Sequence, residues 1–90
     1  MKETELVITF DDTHDAIEGE AALISAKLPV KVMSLPSSIR AGCGLCLRIP
    51  PNTLNAALAA LSGIRIGDIY LRTPGNVGST YDCFRPGKEI

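Results

Sequence analysis

Short apolar runs alternate along the chain with apolar residues at helical spacing, and this pattern predicts four strands and two helices. The run Leu-Val-Ile-Thr-Phe at 6–10 is rich in β-branched residues and bounded by acidic ones, which is typical of a buried strand. Residues 30–35, 45–49 and 65–72 show the two-residue alternation of further strands. In the last two segments Leu47, Ile49, Ile69 and Leu71 are predicted to face the core.

Two intervening stretches predict α-helices. Asp11, Asp12 and Thr13 offer side-chain oxygens to cap the first helix. Its predicted buried stripe consists of Ile17, Ala21, Ile24 and Leu28. The second helix follows Asn52, and its predicted stripe consists of Leu54, Ala57, Leu58 and Leu61.

The order β-α-β-β-α-β predicts an α+β fold, a ferredoxin-like sandwich with a four-stranded antiparallel sheet and both helices on one face. We expect residues 1–73 to form a single domain. Residues 74–90, which include Cys83, are rich in Gly, Pro and polar residues and are expected to form a loosely ordered tail. The sheet face away from the helices is predicted to be open and to carry Cys46, Arg48, Tyr70 and Arg72.

Composition narrows the classes of function. The 90 residues, 46% of them hydrophobic, suit one small domain. Nine basic and ten acidic residues give a net charge of −1, without the basic excess of a nucleic-acid-binding protein. No apolar run approaches the roughly 18 residues of a membrane span, and the first residues do not resemble a signal peptide. A cytoplasmic protein without nucleic-acid or membrane partners is expected.

The segment Cys43-Gly44-Leu45-Cys46 is the most promising chemical feature. Gly42 and Gly44 flank Cys43, so we expect an accessible thiol near loop amides. Arg40 and Arg48 are candidate cations that would favour a nucleophilic thiolate. Such a thiolate could accept sulfur or selenium from a donor protein, hold it as a persulfide or selenosulfide, and pass it to an acceptor enzyme. Cys46 is a candidate resolving thiol.

Other interpretations of these residues remain open. Cys43 and Cys46 could simply be buried packing residues. They could form a thiol redox pair, although such pairs usually open a helix, whereas this one enters a strand. A zinc site would need every cysteine and the one histidine, namely Cys43, Cys46, Cys83 and His14. We predict no metal and no cofactor, and a carrier rather than an enzyme.

A further alternative is a protein-interaction module. The open sheet face or the edge strands would then bind a protein partner or form a homodimer, since exposed edges need cover.

His14 is a candidate base for Cys43, but the predicted topology argues against it. In the predicted sandwich strands one and three run parallel, so His14 and Cys43 are expected to lie at opposite ends of the sheet, roughly 15 Å or more apart. The same arrangement keeps Cys43 away from the N-terminus of either helix. His14 is then a polar residue in the first turn of a surface helix.

Over about residues 6–72 the chain resembles the selenium/sulfur carrier protein-like family of small bacterial domains. The resemblance rests mainly on Cys43-Gly44-Leu45-x-Leu47-Arg48. Weaker support comes from three other strings: Ile8-Thr9-Phe10, Thr13-His14-x-Ala16 with Glu20 after it, and Pro36-x-x-Ile39.

This resemblance implies that Cys43 carries the chalcogen. Two departures bear on that expectation. The chain has Cys46 where the family usually has an alanine-like residue, which would suit a second thiol for redox or metal chemistry. It has Ser37 where the family usually has an arginine, which weakens the expectation of anion contact at that turn.

Overall fold

Five strands and two α-helices are present in the residues that the structure describes, 4–75 and 78–85 of a computed structural model. The strands are β1 (Glu5–Thr9), β2 (Lys31–Ser34), β3 (Leu45–Ile49), β4 (Ile69–Thr73) and β5 (Thr80–Arg85). The helices are α1 (Thr13–Ser25) and α2 (Leu54–Ala60), and a short 3-10 turn, Pro51–Thr53, leads into α2.

The strands form one antiparallel sheet in the order β2-β3-β1-β4-β5. The predicted α+β class, with two helices and an antiparallel sheet, is confirmed. The predicted number of four strands is wrong, because β5 pairs with β4 inside the segment expected to be a loose tail. The Gly- and Pro-containing residues after Thr73 connect these two strands. Residues 86–90 lie outside the described residues.

One face of the sheet and both helices share the main hydrophobic core. The strands contribute Leu6, Ile8, Leu47, Ile49 and Ile69. The helices contribute Ala16, Leu23, Ala57 and Leu61 to the same cluster, so both helices pack on this face. The predicted inward positions of β3 and β4 and the predicted stripe of α2 are therefore confirmed.

Helix α1 turns a different face to the sheet from the one predicted. Its buried residues are Ala16, Gly19 and Leu23, whereas Ile17 and Ile24 are 56% and 58% exposed. Gly19 explains the difference, because a Cβ atom there would lie 3.0 Å from Cζ of Phe10. The small residues allow the helix to approach the sheet closely, and this stripe has helical spacing as well.

The predicted stripe of α1 also extends too far. The helix ends at Ser25, and Leu28 lies beyond it, half-buried against the main core.

The second sheet face is not fully open. Cys46, Arg48, Tyr70 and Arg72 do lie on it, since each is paired across the strands with a residue of that face. The β2–β3 loop (residues 35–44) covers part of it, however, and a second cluster of Val7, Ile39 and Cys46 is buried there.

Candidate functional site

The β2–β3 loop is held against the junction between β1 and α1. The backbone N–H of Cys43 donates a hydrogen bond to the Phe10 carbonyl at 3.1 Å, and Leu35 N–H donates to the Gly44 carbonyl at 2.9 Å. Gly42 passes so close to Asp11 that a Cβ atom would lie 2.4 Å from the Asp11 carbonyl oxygen. Glycine is needed here because of this close backbone approach.

The Cys43 sulfur lies beside the first residue of α1. Its Sγ–H donates to Oγ1 of Thr13 at 3.4 Å, and Leu45 N–H donates to Sγ at 3.2 Å. Asp12 caps the helix by accepting from His14 N–H, so Thr13 is in the first turn. The positive end of a helix dipole and two hydrogen-bonding groups therefore adjoin this sulfur.

This arrangement overturns two predictions about position. Strands β1 and β3 are antiparallel, with Thr9 opposite Cys46, so the end of β1 meets the start of β3. Cys43 consequently contacts Thr13, the neighbour of His14, and the expected separation of 15 Å or more is wrong. The expectation that Cys43 lies far from a helix N-terminus is wrong for the same reason.

His14 lies where a surface residue of the first helical turn is expected. Its side chain is 73% exposed, and Nε2 lies 3.2 Å from Oε2 of Glu18. The ring is thus paired along the helix surface.

Cys43 is buried, contrary to the expected accessible thiol. Only 2% of the residue is exposed, and it belongs to the main core. Its neighbours Gly42 and Gly44 are exposed, and so is Thr13, whose hydroxyl contacts the sulfur. The buried thiol is therefore bordered by exposed residues.

Cys46 lies in the second cluster, on the opposite sheet face from the core that contains Cys43. It is fully buried, and its Sγ–H donates to the Ser34 carbonyl at 3.8 Å. The pKa of its thiol is raised from 9.0 to about 11, mainly by burial. The positive charge of Arg48 lowers this pKa, and Cys43 raises it. At neutral pH Cys46 is a protonated core residue, poorly suited to act as a nucleophile.

The structure does not bring Arg48 to the Cys43 sulfur. Arg48 is further along β3, roughly 15 Å from Cys43 at the rise of a strand. Its Nε lies 3.3 Å from Oε1 of Glu5, and Nη1 of Arg72 lies 3.1 Å from the same oxygen. Arg40 is exposed in the β2–β3 loop, three positions before Cys43.

The three cysteines occupy three separate places and all are free thiols. Cys83 is exposed on β5, opposite Tyr70 of β4. The geometry gives no support to the zinc ligand set of these cysteines with His14. Within residues 4–75 and 78–85, no group of three or more His, Cys, Asp or Glu side chains is arranged to hold a metal ion.

The sequence reasoning missed Thr13 as a neighbour of the thiol. The signal was available in the strand order, because in a β-α-β-β-α-β sandwich with an antiparallel sheet the first and third strands must run in opposite directions.

No helix within the described part of the chain has the length and apolar character to cross a membrane.

Fold and site together define an α+β protein with a cysteine buried at the N-terminus of a helix. A family model described as "Putative Se/S carrier protein-like" matches residues 5–71, from β1 into β4. The chain belongs to this family, which confirms the resemblance noted in the sequence. No curated protein and no solved structure matches the chain.

Proposed function

We propose that the protein carries sulfur or selenium on Cys43, as a persulfide or a selenosulfide. Membership of the family supports a carrier in general. The observation that carries the finer proposal is the position of the Cys43 sulfur, between Leu45 N–H and the Thr13 hydroxyl at the start of α1. Donors and a helix N-terminus stabilise negative charge on sulfur.

The transfer needs no external oxidant. The Cys43 thiolate attacks the terminal sulfur of a donor persulfide, R–S–SH. The S–S bond of the donor breaks, R–S⁻ leaves as a thiolate, and Cys43 keeps the terminal sulfur with its proton as Cys43–S–SH. When the donor is R–S–SeH, the thiolate attacks the terminal selenium, the S–Se bond breaks, R–S⁻ leaves, and the product is Cys43–S–SeH. An acceptor enzyme then takes the chalcogen from Cys43 by the reverse exchange.

As a carrier, the protein has two kinds of protein partner, a donor and an acceptor. It catalyses no reaction beyond the exchange of the chalcogen. Arg40, Gly42 and Gly44 line the exposed side of the loop that these partners would meet. A reducing compartment such as the cytoplasm suits three cysteines that are all free.

Access to Cys43 requires the β2–β3 loop to open. The loop is anchored on the second sheet face by Ile39, which is 4% exposed, and is closed at its base by the Leu35–Gly44 hydrogen bond. Most residues between these anchors are exposed, which is typical of segments that open locally at low cost. This local opening then gives a donor or an acceptor access to the Cys43 sulfur.

Loading by two different donors tests the proposal. The reduced protein is incubated with a cysteine desulfurase and cysteine, or with inorganic polysulfide, and the added sulfur is mapped by peptide mass spectrometry. Sulfur confined to Cys43, absent in Cys43→Ser and retained in the matched Cys83→Ser variant, is the expected result. Equal labelling of all three cysteines, or none, would overturn the proposal.

A thiol redox pair of Cys43 with Cys46 fits the geometry poorly, because the two residues belong to clusters on opposite sheet faces. Counting free thiols after mild oxidation separates the two functions. Loss of these two thiols together would favour the redox pair over the carrier.

One observation favours an interaction module as a second candidate function. Among the described strands β5 is at one edge of the sheet, and Phe84 on it is 53% exposed. An exposed edge with a large apolar side chain is a surface for pairing with another chain. Light scattering tests its homodimer form, since a monomer at high concentration would exclude edge-to-edge dimers.

A further inference from the structure

The outer face of α1 has an apolar stripe that no part of the described chain covers. The stripe consists of Ile17, Ala21 and Ile24, all three exposed, with Ile17 and Ile24 more than half exposed. It is separate from the buried face of the helix, which is made of Ala16, Gly19 and Leu23. Exposed large apolar residues grouped on one helix face are typical of an interaction site.

The stripe leads directly to the candidate thiol. Thr13 precedes Ile17 by one helical turn on the same side, and residues four apart on a helix are surface neighbours. Thr13 is also the residue whose hydroxyl contacts the Cys43 sulfur. A partner lying along this stripe would therefore span roughly 16 Å of helix and reach Thr13 at its N-terminal end.

The segment that contains the stripe is rich in acidic residues. Five of the ten acidic residues of the chain lie between positions 11 and 20, namely Asp11, Asp12, Asp15, Glu18 and Glu20. No Lys or Arg occurs between Lys2 and Lys27, so a chain of net charge −1 has a strongly acidic helix. The first-turn acids also stabilise the helix dipole, but Glu18 and Glu20 lie beyond that turn.

These acids give the segment that contains the stripe a net negative charge. Cations brought by a partner would offset them. Glu18 and Glu20, next to the stripe residues Ile17 and Ala21 in sequence, form its acidic rim. This rim suits the recognition of a basic surface, which speeds encounter and favours the correct partner.

We propose that the stripe Ile17-Ala21-Ile24 with its acidic rim is the docking surface for the protein donor of the chalcogen. The donor has an apolar patch bordered by Lys and Arg, and its persulfide cysteine reaches Cys43 past Thr13. This inference rests on the proposed function and adds the surface and the chemistry of the partner.

The test compares a protein donor with a small one. A cysteine desulfurase with cysteine is the protein donor, and inorganic polysulfide, which needs no docking surface, is the small donor. Two double variants are compared. One combines Ile17→Ser with Ile24→Ser, and the other combines Glu18→Gln with Glu20→Gln. The matched controls are Val32→Ser, an exposed apolar residue of β2 that is 41% exposed, and Asp82→Asn, an exposed acid of β5.

The double isoleucine variant is expected to load from the desulfurase roughly tenfold more slowly, the size typical of truncated apolar residues at the centre of an interface. The glutamine variant should slow about threefold or more, and the native chain should slow as salt rises. Polysulfide loading of both variants should remain at the native rate, as should both reactions of the controls. Circular dichroism confirms that each variant is folded.

The outcomes separate this inference from the function on which it rests. Unchanged desulfurase loading of the variants would overturn the docking surface and leave the carrier in place. Loading of the native chain by polysulfide but not by the desulfurase would overturn it too. A native chain that accepts sulfur from neither donor would overturn the carrier and the docking surface together.

Discussion

Sγ of Cys43 lies 3.4 Å from Oγ1 of Thr13, a contact between residues thirty positions apart in the chain. It exists because β1 and β3 are antiparallel neighbours, so the loop that enters β3 meets the chain leaving β1. The Cys43 N–H bond to the Phe10 carbonyl fixes the same approach. The thiol thus owes its position at the start of α1 to the pairing of two strands.

The Thr13 hydroxyl should matter for loading of Cys43, because it can donate to a negatively charged sulfur once the thiol has lost its proton. Thr13→Val keeps the shape of the side chain and removes the hydroxyl, and it should slow loading from polysulfide about fivefold to tenfold. Thr13→Ser keeps the hydroxyl and should load at close to the native rate. Mass spectrometric time courses check this, and equal rates for the two variants would show that the hydroxyl contributes nothing.

Ile39 should control access to Cys43 although it lies on the other sheet face. Ile39→Ala weakens the anchor of the β2–β3 loop and should raise the alkylation rates of Cys43 and Cys46 together, by about tenfold or more. Val32→Ala, at an exposed site on β2, is the matched control and should leave both rates unchanged.

Global unfolding would raise those rates as well, and the denaturant dependence distinguishes it. Local opening exposes little surface, so the alkylation rate should depend weakly on urea at low concentrations. A dependence as steep as that of global unfolding, or an increase at Cys46 alone, would contradict control of Cys43 by the loop.

Much of the fold could be predicted from the sequence, because apolar alternation in β3 and β4 and the stripe of α2 follow from local periodicity. The stripe of α1 could not, since two sets of residues one position apart both have helical spacing. The close approach of Gly19 to Phe10 decides which set is buried. This is a tertiary contact, and the periodicity of the helix does not predict it. The fifth strand was missed because its Gly- and Pro-containing connection has the composition of a tail.

The candidate cysteine was identifiable from the sequence, but its surroundings were not. Flanking glycines suggested an exposed thiol, whereas Gly42 serves a close approach to Asp11 and Cys43 is buried. Burial and contact with Thr13 depend on strand direction, which a list of motifs does not contain. Arg48 was assigned to Cys43 by proximity in sequence, yet it is paired with Glu5 across the sheet.

The Cys46 thiol should make stability fall at alkaline pH. Burial raises its pKa from the ordinary thiol value of 9.0 to about 11, so the native state holds the proton more tightly than an exposed thiol does. The contribution is complete below pH 9 and is lost as pH rises through about 11, by up to about 3 kcal/mol. Urea unfolding of native protein and Cys46→Ala between pH 8 and 11 checks this, and the variant should show the smaller decline. Parallel declines would mean that other groups cause the loss.

Of the two glycines that flank Cys43, only Gly42 should be sensitive to substitution by alanine. Gly42→Ala places a methyl group 2.4 Å from the Asp11 carbonyl oxygen, backbone that cannot move without opening the β1–α1 junction. We expect a loss of about 1–3 kcal/mol in unfolding free energy, with faster alkylation of Cys43. Gly44→Ala meets no atom within 4 Å and should stay within about 0.5 kcal/mol of the native protein. Chemical denaturation of both variants provides the measurement, and similar stabilities would mean that the loop does not depend on its approach to Asp11.

Since Cys43 donates to Phe10 through its own N–H, displacing Gly42 should also move the sulfur from Thr13 and slow persulfide loading even where alkylation becomes faster.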